Sequence, residues 1–187
     1  MKTLFVDKKI NYNGSELKPL YGYVQHKLHG DSIVAFCGAC DVLLEHMVDA
    51  EDYVVSAQIK SDEMLHFIVE MFGQNLMTAV SLQRLLVSIA QSELNSKLSR
   101  EYHGGLRREG DDLYLNNLKL SVSIASCSAV SSMIHFGLNI RNEGTPVPTC
   151  ALTDFKIEPK EFALRLMKKF SEEYVSIQAA TQKVNPL

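Results

Sequence analysis

The chain is short of positive charge, of long apolar runs and of phosphate-binding glycine motifs. Of its 187 residues, 19 are lysine or arginine and 22 are aspartate or glutamate, a formal charge of -3. That balance lacks the basic excess through which proteins hold nucleic acid or an anionic membrane. No stretch reaches the roughly 18 consecutive apolar residues of a membrane span. The opening apolar run of MKTLFV stops at Asp7, too early for a signal-peptide core. The expected location is therefore cytoplasmic, with neither a nucleic-acid nor a membrane partner. The four cysteines, Cys37, Cys40, Cys127 and Cys150, come without a secretion signal and do not call for disulfides. No P-loop, no dinucleotide fingerprint and no Gly-x-Ser-x-Gly elbow is present.

What is present is an ordinary globular composition, 46% apolar and 22% charged, in a length that suits one domain over 1–187. TLFV at 3–6 and DSIVAF at 31–36 read as strands, the second closed by Gly38. CDVLLEHMVDAED reads as loop or short elements, and MLHFIVEMF at 64–72 as a buried strand. Leu76, Ala79, Val80, Leu82, Leu85, Leu86, Ile89 and Ala90 keep helical spacing and predict a helix over 76–98, with Asn75 as its cap. The stretch 100–112 is loop-like. A hairpin turning at Asn116-Asn117 follows, with its second strand over 118–125, then a strand at 133–140. Pro159 opens a final helix striped by Phe162, Leu166, Phe170 and Tyr174. The order of elements predicts an α+β, mixed α/β fold, with a mainly antiparallel or mixed sheet packed by helices.

Two strands carry small or polar residues on one face. In KLSVSIAS, period two sets Lys119, Ser121 and Ser123 against Leu120, Val122 and Ile124. In MIHFGLNI it sets His135, Gly137 and Asn139 against Ile134, Phe136, Leu138 and Ile140. If the strands are neighbours, Lys119, Ser121, Ser123, His135 and Asn139 line one surface, either a ligand pocket or a face that meets water. A lysine there suits phosphate or carboxylate. Asp111 and Asp112, just before the hairpin, either orient a magnesium ion or ligand amine or sit in a solvated turn. Asp31, at the start of an apolar strand, is a candidate to point into a site. Cys37-x-x-Cys40 with His46 and Asp49 is either a metal site or a set of incidental thiols and loop charges. Glu45, His46, Asp49, Glu51 and Asp52 form the densest acid–base set, as general acid and base or as solvated loop. His66 reads as a satisfied core histidine, and His26, His29 and His103 as loop residues.

GDDLYLNNLKLSVSIAS followed by IHFGLNI resembles the catalytic domain of lipoate–protein and biotin–protein ligases. The resemblance implies that Lys119 contacts the acyl group and phosphate of an adenylate and that Asp112 lies near metal and phosphates. It also implies that His135, Gly137 and Asn139 close the pocket, with ATP and magnesium as cofactors. Val122 stands where those ligases have glycine, and HGDSIVAFCGACD lacks their arginine and paired glycines. Over nearly its whole length, through MKTLFVDKKINYNGSELKP, HGDSIVAFCGACDV and LEHMVDAED, the chain is similar to the DUF366 family. Two functions follow as expectations. One is a small-molecule binding or transferase- or ligase-like enzyme acting on a carboxylate- or phosphate-bearing ligand. The other is a non-catalytic ligand sensor or homodimeric assembly protein.

Overall fold

The computed structural model describes residues 1–99, 102 and 104–185; His103 lies outside them. In chain order the elements are β1 (Lys2–Val6), α1 (Tyr21–His26), β2 (Ser32–Asp41), a 3₁₀ turn (Leu44–His46), α2 (Ala50–Val54), β3 (Lys60–Phe72), α3 (Leu76–Asn95), β4 (Arg107–Glu109), β5 (Asp112–Leu115), β6 (Leu118–Lys119), β7 (Ser121–Cys127), β8 (Ser131–Asn139) and α4 (Pro159–Thr181). Five strands form the main sheet in the order β1-β2-β3-β8-β7, and β4-β5-β6 form a small second sheet. β1 runs parallel to β2, and the other pairings of the main sheet are antiparallel. This is the mixed α/β domain that the sequence predicts.

The main sheet is covered on both faces, so its central strands read as near-continuous apolar runs. On one face Ile33, Ala35, Leu65, Phe67, Ile134, Phe136 and Leu138 pack beneath α3 and α4. On the other face Val34, Phe36, Met64 and Ile68 pack against Tyr12 and Tyr21. Each large apolar side chain so buried contributes about 1.5–3 kcal/mol. α3 starts where Asn75 accepts the Thr78 N–H at 2.9 Å, and α4 starts at Pro159 with the Glu158 carboxylate accepting the Glu161 N–H at 2.6 Å. Both caps satisfy donors that the first helical turn leaves without partners.

Three expectations are corrected. β2 does not stop at Gly38 but runs to Asp41, because the Tyr12 segment resumes the β1 edge beside it. The Ile10 N–H donates to Cys37, the Tyr12 N–H to Ala39, and the Asp41 N–H back to Tyr12. The stretch 118–125 is not one strand, since it changes sheets at Leu120 between β6 and β7. Asp31 lies away from Lys119 and is engaged by protein partners. Its carboxylate accepts the Phe72 N–H at 2.9 Å and the Tyr174 hydroxyl at 2.7 Å, tying α4 to the end of the sheet remote from Lys119. Phe72 and Met64 mark the two ends of the β3–β8 pairing, eight residues or roughly 26 Å apart along the strand.

Candidate functional site

The break at Leu120 positions Lys119. The Lys119 N–H donates to Pro148 and its carbonyl accepts from Cys150, both at 3.1 Å, while the Leu120 carbonyl accepts from Asn139 at 2.9 Å. Asn139 also spends its side-chain amide on the Lys119 and Cys150 carbonyls, at 3.3 and 3.4 Å. With its backbone held on two sides, Lys119 extends its ammonium to 2.7 Å from the Asp112 carboxylate. The Tyr114 hydroxyl lies 3.4 Å from the same carboxylate. Burial pushes the Asp112 carboxyl above its usual range despite Lys119. Burial also works against the Lys119 ammonium, but the bond and charge of Asp112, then Tyr114 and Asp52, raise it overall.

The register of β7 reverses the expected faces of the serines. Opposed residues of an antiparallel pair share a face, and Ser121 opposes Leu138 while Ser123 opposes Phe136. Both serines therefore turn toward α3, and Val122 and Ile124 share the face of Gly137 and His135. The physical reason is the polar Gln83 on α3, whose amide donates to Ser123 Oγ at 2.9 Å and to Asp111 at 2.8 Å. Ser123 Oγ in turn donates to the His135 carbonyl at 2.8 Å, and Ser121 Oγ accepts the Leu113 N–H at 2.8 Å. Small hydroxyls fit under the helix there, and they are occupied with protein partners.

A cavity of about 430 Å³ runs along β7 and, because this is an edge strand, reaches residues of both its faces: Lys119, Asp112, Ser121, Ser123, His135 and Asn139 all line it. Its cover is the segment 42–59, including Val42, Asp49 and Asp52, with Pro146 and Thr149 at the other rim.

His135 forms the floor, backed by His66 on the neighbouring strand. His66 Nδ1 lies 3.1 Å from His135 Nε2, and His66 Nε2 lies 3.3 Å from the Gly38 carbonyl. A carbonyl only accepts, so His66 carries its proton on Nε2 and accepts at Nδ1; His135 then donates from Nε2 and leaves Nδ1 as a lone-pair acceptor. Burial holds His66 down at about 4 and His135 well below the usual histidine range, so both rings are neutral near pH 7. The Tyr12 ring stacks on His135 with centroids 3.9 Å apart and planes 10° from parallel.

The metal candidates do not converge, whereas His46, Asp49 and Asp52 of the acid–base set all line the cavity. Among the described residues no group of three or more His, Cys, Asp or Glu side chains is placed to hold a metal. Burial pushes the Cys37 thiol up to about 11 and the Cys40 thiol up to about 12. Asp49 caps α2 by accepting from Glu51 and Asp52, and His46 pairs loosely with Glu45 at 3.8 Å. Sequence reasoning missed Tyr12, which is placed by an isolated bridge to Cys40, and the Gly38 carbonyl, which is brought to His66 by the β2–β3 pairing; no local pattern announces either. It also missed segment 42–59 as a cavity wall.

The ion pair is open to a stability test. Lys119→Met leaves a half-buried Asp112 without its counter-charge and is expected to cost about 1–2 kcal/mol in urea melts at pH 7. Adding Asp112→Asn is expected to recover most of that loss. Equal stabilities of the single variant and wild type would show that the pair does not hold the site together.

A family model described as a domain of unknown function, DUF366, matches residues 1–185. An uncharacterized protein of Methanocaldococcus jannaschii is 34% identical over 194 residues, covering 100% of this chain and 86% of that protein. The solved structure of a protein of unknown function from Pyrococcus horikoshi superposes with a TM-score of 0.92 at 37% identity, over 100% of this chain and 98% of that one. Apo biotin protein ligase from Aquifex aeolicus gives a TM-score of 0.61 at 13% identity, over 95% of this chain and 71% of that one. A putative lipoate protein ligase from T. acidophilum with bound lipoic acid gives 0.58 at 11% identity, over 91% and 86%. At such identities the two ligases establish the fold.

Proposed function

The chain belongs to the DUF366 family, and from its ligase-like fold and its cavity we propose that it binds a small carboxylate-bearing molecule at Lys119, as a small-molecule binding protein or a transferase-like enzyme. The observation that carries this reading is the Lys119 ammonium, fixed at 2.7 Å from Asp112 on the wall of the cavity. An ammonium has three donors. Asp112 takes one and orients the group, which leaves donors for a ligand carboxylate and a positive charge to stabilise negative charge that develops there. Asn139 acts as a positioning residue by holding the Lys119 carbonyl. Biotin and lipoic acid, named for structures of the same fold, are both carboxylic acids and support this class.

ATP and magnesium, which the ligase resemblance implies, fit the lining poorly. Asp49, Asp52, Asp111 and Asp112 face only Lys60 and Lys119. Segment 42–59 carries Glu45, Asp49, Glu51 and Asp52 and no lysine, arginine or glycine to receive phosphates. Asp112 and Asp111 are engaged by Lys119 and Gln83.

Calorimetric titration of wild type and Lys119→Ala with octanoate, lipoate and biotin tests the reading. At least one acid is expected to bind wild type and to lose about 100-fold in affinity in the variant. Unchanged affinity would remove Lys119 from the site. A second reading, assembly into a homodimer, is favoured by the apolar residues that the cover segment exposes, with Val54 at 80% and Val55 at 71%. Native mass spectrometry of wild type and Val54→Glu/Val55→Glu decides it: a wild-type dimer split by the variant supports the assembly, and a monomeric wild type rejects it.

A further inference from the structure

The cavity floor ends in an acceptor with nothing to accept. His135 is 3% exposed, its Nε2 is engaged by His66, and Nδ1 has no protein partner among the described residues. Nor is Nδ1 among the sealed, unpartnered polar atoms of the protein. Its direction follows from its neighbours. Nε2 turns toward β3, and a side chain added at Gly137 would meet His135 Cε1 at 3.4 Å. The Nδ1 edge therefore turns away from β3, toward β7 and the cavity that His135 lines. The proton cannot simply move to Nδ1, because the Gly38 carbonyl fixes the His66 tautomer and His66 fixes that of His135. An acceptor open to a cavity takes its donor from whatever fills the cavity, water or ligand.

The charges of the wall point the same way. Four carboxylates line the cavity against two lysines. Lys60 is shared with Asp41 outside the cavity at 3.6 Å, and Lys119 is held by Asp112. The wall therefore favours a ligand that brings positive charge or N–H donors and disfavours a polyanion.

We infer that the cavity selects a nitrogen-bearing acid, with an amine or other N–H donor inserted against His135 Nδ1, and rejects polyanions such as nucleoside triphosphates. This rests on the carboxylate reading of Lys119 and adds what the far end of the ligand must carry. Leu120, next to Lys119, stands opposite Asn139, four residues or roughly 13 Å along β8 from His135. An extended ω-amino acid, shortened by the reach of the lysine side chain, suits that separation.

The experiment titrates the full chain with octanoate, 8-aminooctanoate, octylamine and ATP with magnesium, by calorimetry and by ¹⁵N NMR of the histidine rings. The expected result is 8-aminooctanoate at least tenfold tighter than octanoate, with the unprotonated Nδ1 resonance of His135 moving upfield as it accepts a hydrogen bond. Equal affinities for the two acids and an unmoved Nδ1 overturn the inference and leave the Lys119 reading standing. Octylamine binding as tightly as 8-aminooctanoate, in both wild type and Lys119→Ala, overturns the carboxylate reading and supports the donor selectivity. ATP binding tighter than every other probe overturns the inference, and no binding by any probe overturns both.

Discussion

Lowering the pH from 7 to 5 is expected to remove on the order of 3–4 kcal/mol of folding stability. The cause is the buried histidine pair. His66 is held at about 4 and His135 well below its usual range, in each case first by burial, with the charge of His66 acting second on His135. In the unfolded chain both rings titrate at their ordinary value near 6.5. Below that pH the unfolded state binds more protons than the native state, so acid favours unfolding. Stability is complete above about pH 6.5, falls by about 1.4 kcal/mol per pH unit for each histidine, and levels off once the native rings are themselves protonated. His26, also depressed by burial, acts in the same direction. Between pH 6.5 and 5 most unfolded carboxylates remain ionised, and Asp112, raised by burial in the native state, acts against the histidine slope. Urea melts at pH 7, 6 and 5 measure the slope. A flat profile would mean that the native pair accepts a proton without penalty, contrary to its sealed surroundings.

Gly38→Ala is expected to cost about 3 kcal/mol and to disturb the cavity floor at the same time. A methyl group at Gly38 would stand 2.0 Å from the Ile10 carbonyl oxygen and 2.6 Å from its carbon. That obstacle is backbone, and no rotamer change can relieve it. The Ile10 to Tyr12 segment must move off β2, taking with it the Tyr12 ring that stacks on His135. Gly30→Ala is the control. Gly30 has φ +88° and nothing within 4 Å of an added methyl, so it carries only conformational cost, about 1 kcal/mol. Urea midpoints of the two variants separate close approach from backbone strain. A loss at Gly38 no larger than at Gly30 would contradict the tight seating of the Tyr12 segment.

The parts of this molecule that sequence makes legible are those set by local periodicity. The stripe of α3, the Asn75 cap, the Pro159 start and the clean alternation of β8 are each decided within a few residues by hydrophobic patterning and backbone chemistry. The face of Ser121 and Ser123 was not legible, because alternation says which residues share a side and not which side is ligand. Both sides of β7 are covered, and a single amide on α3, Gln83, makes the helix side polar enough for serines. Asp31 illustrates the same limit: a carboxylate at a strand end can meet a ligand or a tyrosine from a distant helix, and here it meets Tyr174. Lys119 and Asp112 come together as neighbours across one hairpin, with Tyr114 opposite Lys119 in the register, which is why a short motif could suggest them. Tyr12, Gly38, His66 and His135 come together only through strand pairing over long stretches of chain.

That dispersal bears on how the protein comes to exist. The hydrogen bond between His66 and His135 joins residues 69 apart in sequence, and β3 can pair with β8 only after the intervening helix, small sheet and loops have been bridged. Loop closure of that kind has to precede the contacts that reward it, which slows folding. A nascent chain lacks the β8 half of the floor until residue 135 has been made and docked. Ligand cannot template the early steps through these contacts, since the histidine acceptor and its fixed tautomer arise together with the central pairing. On this ordering the cavity forms late in folding, and a molecule bound in it would retard unfolding of the finished sheet rather than hasten its assembly.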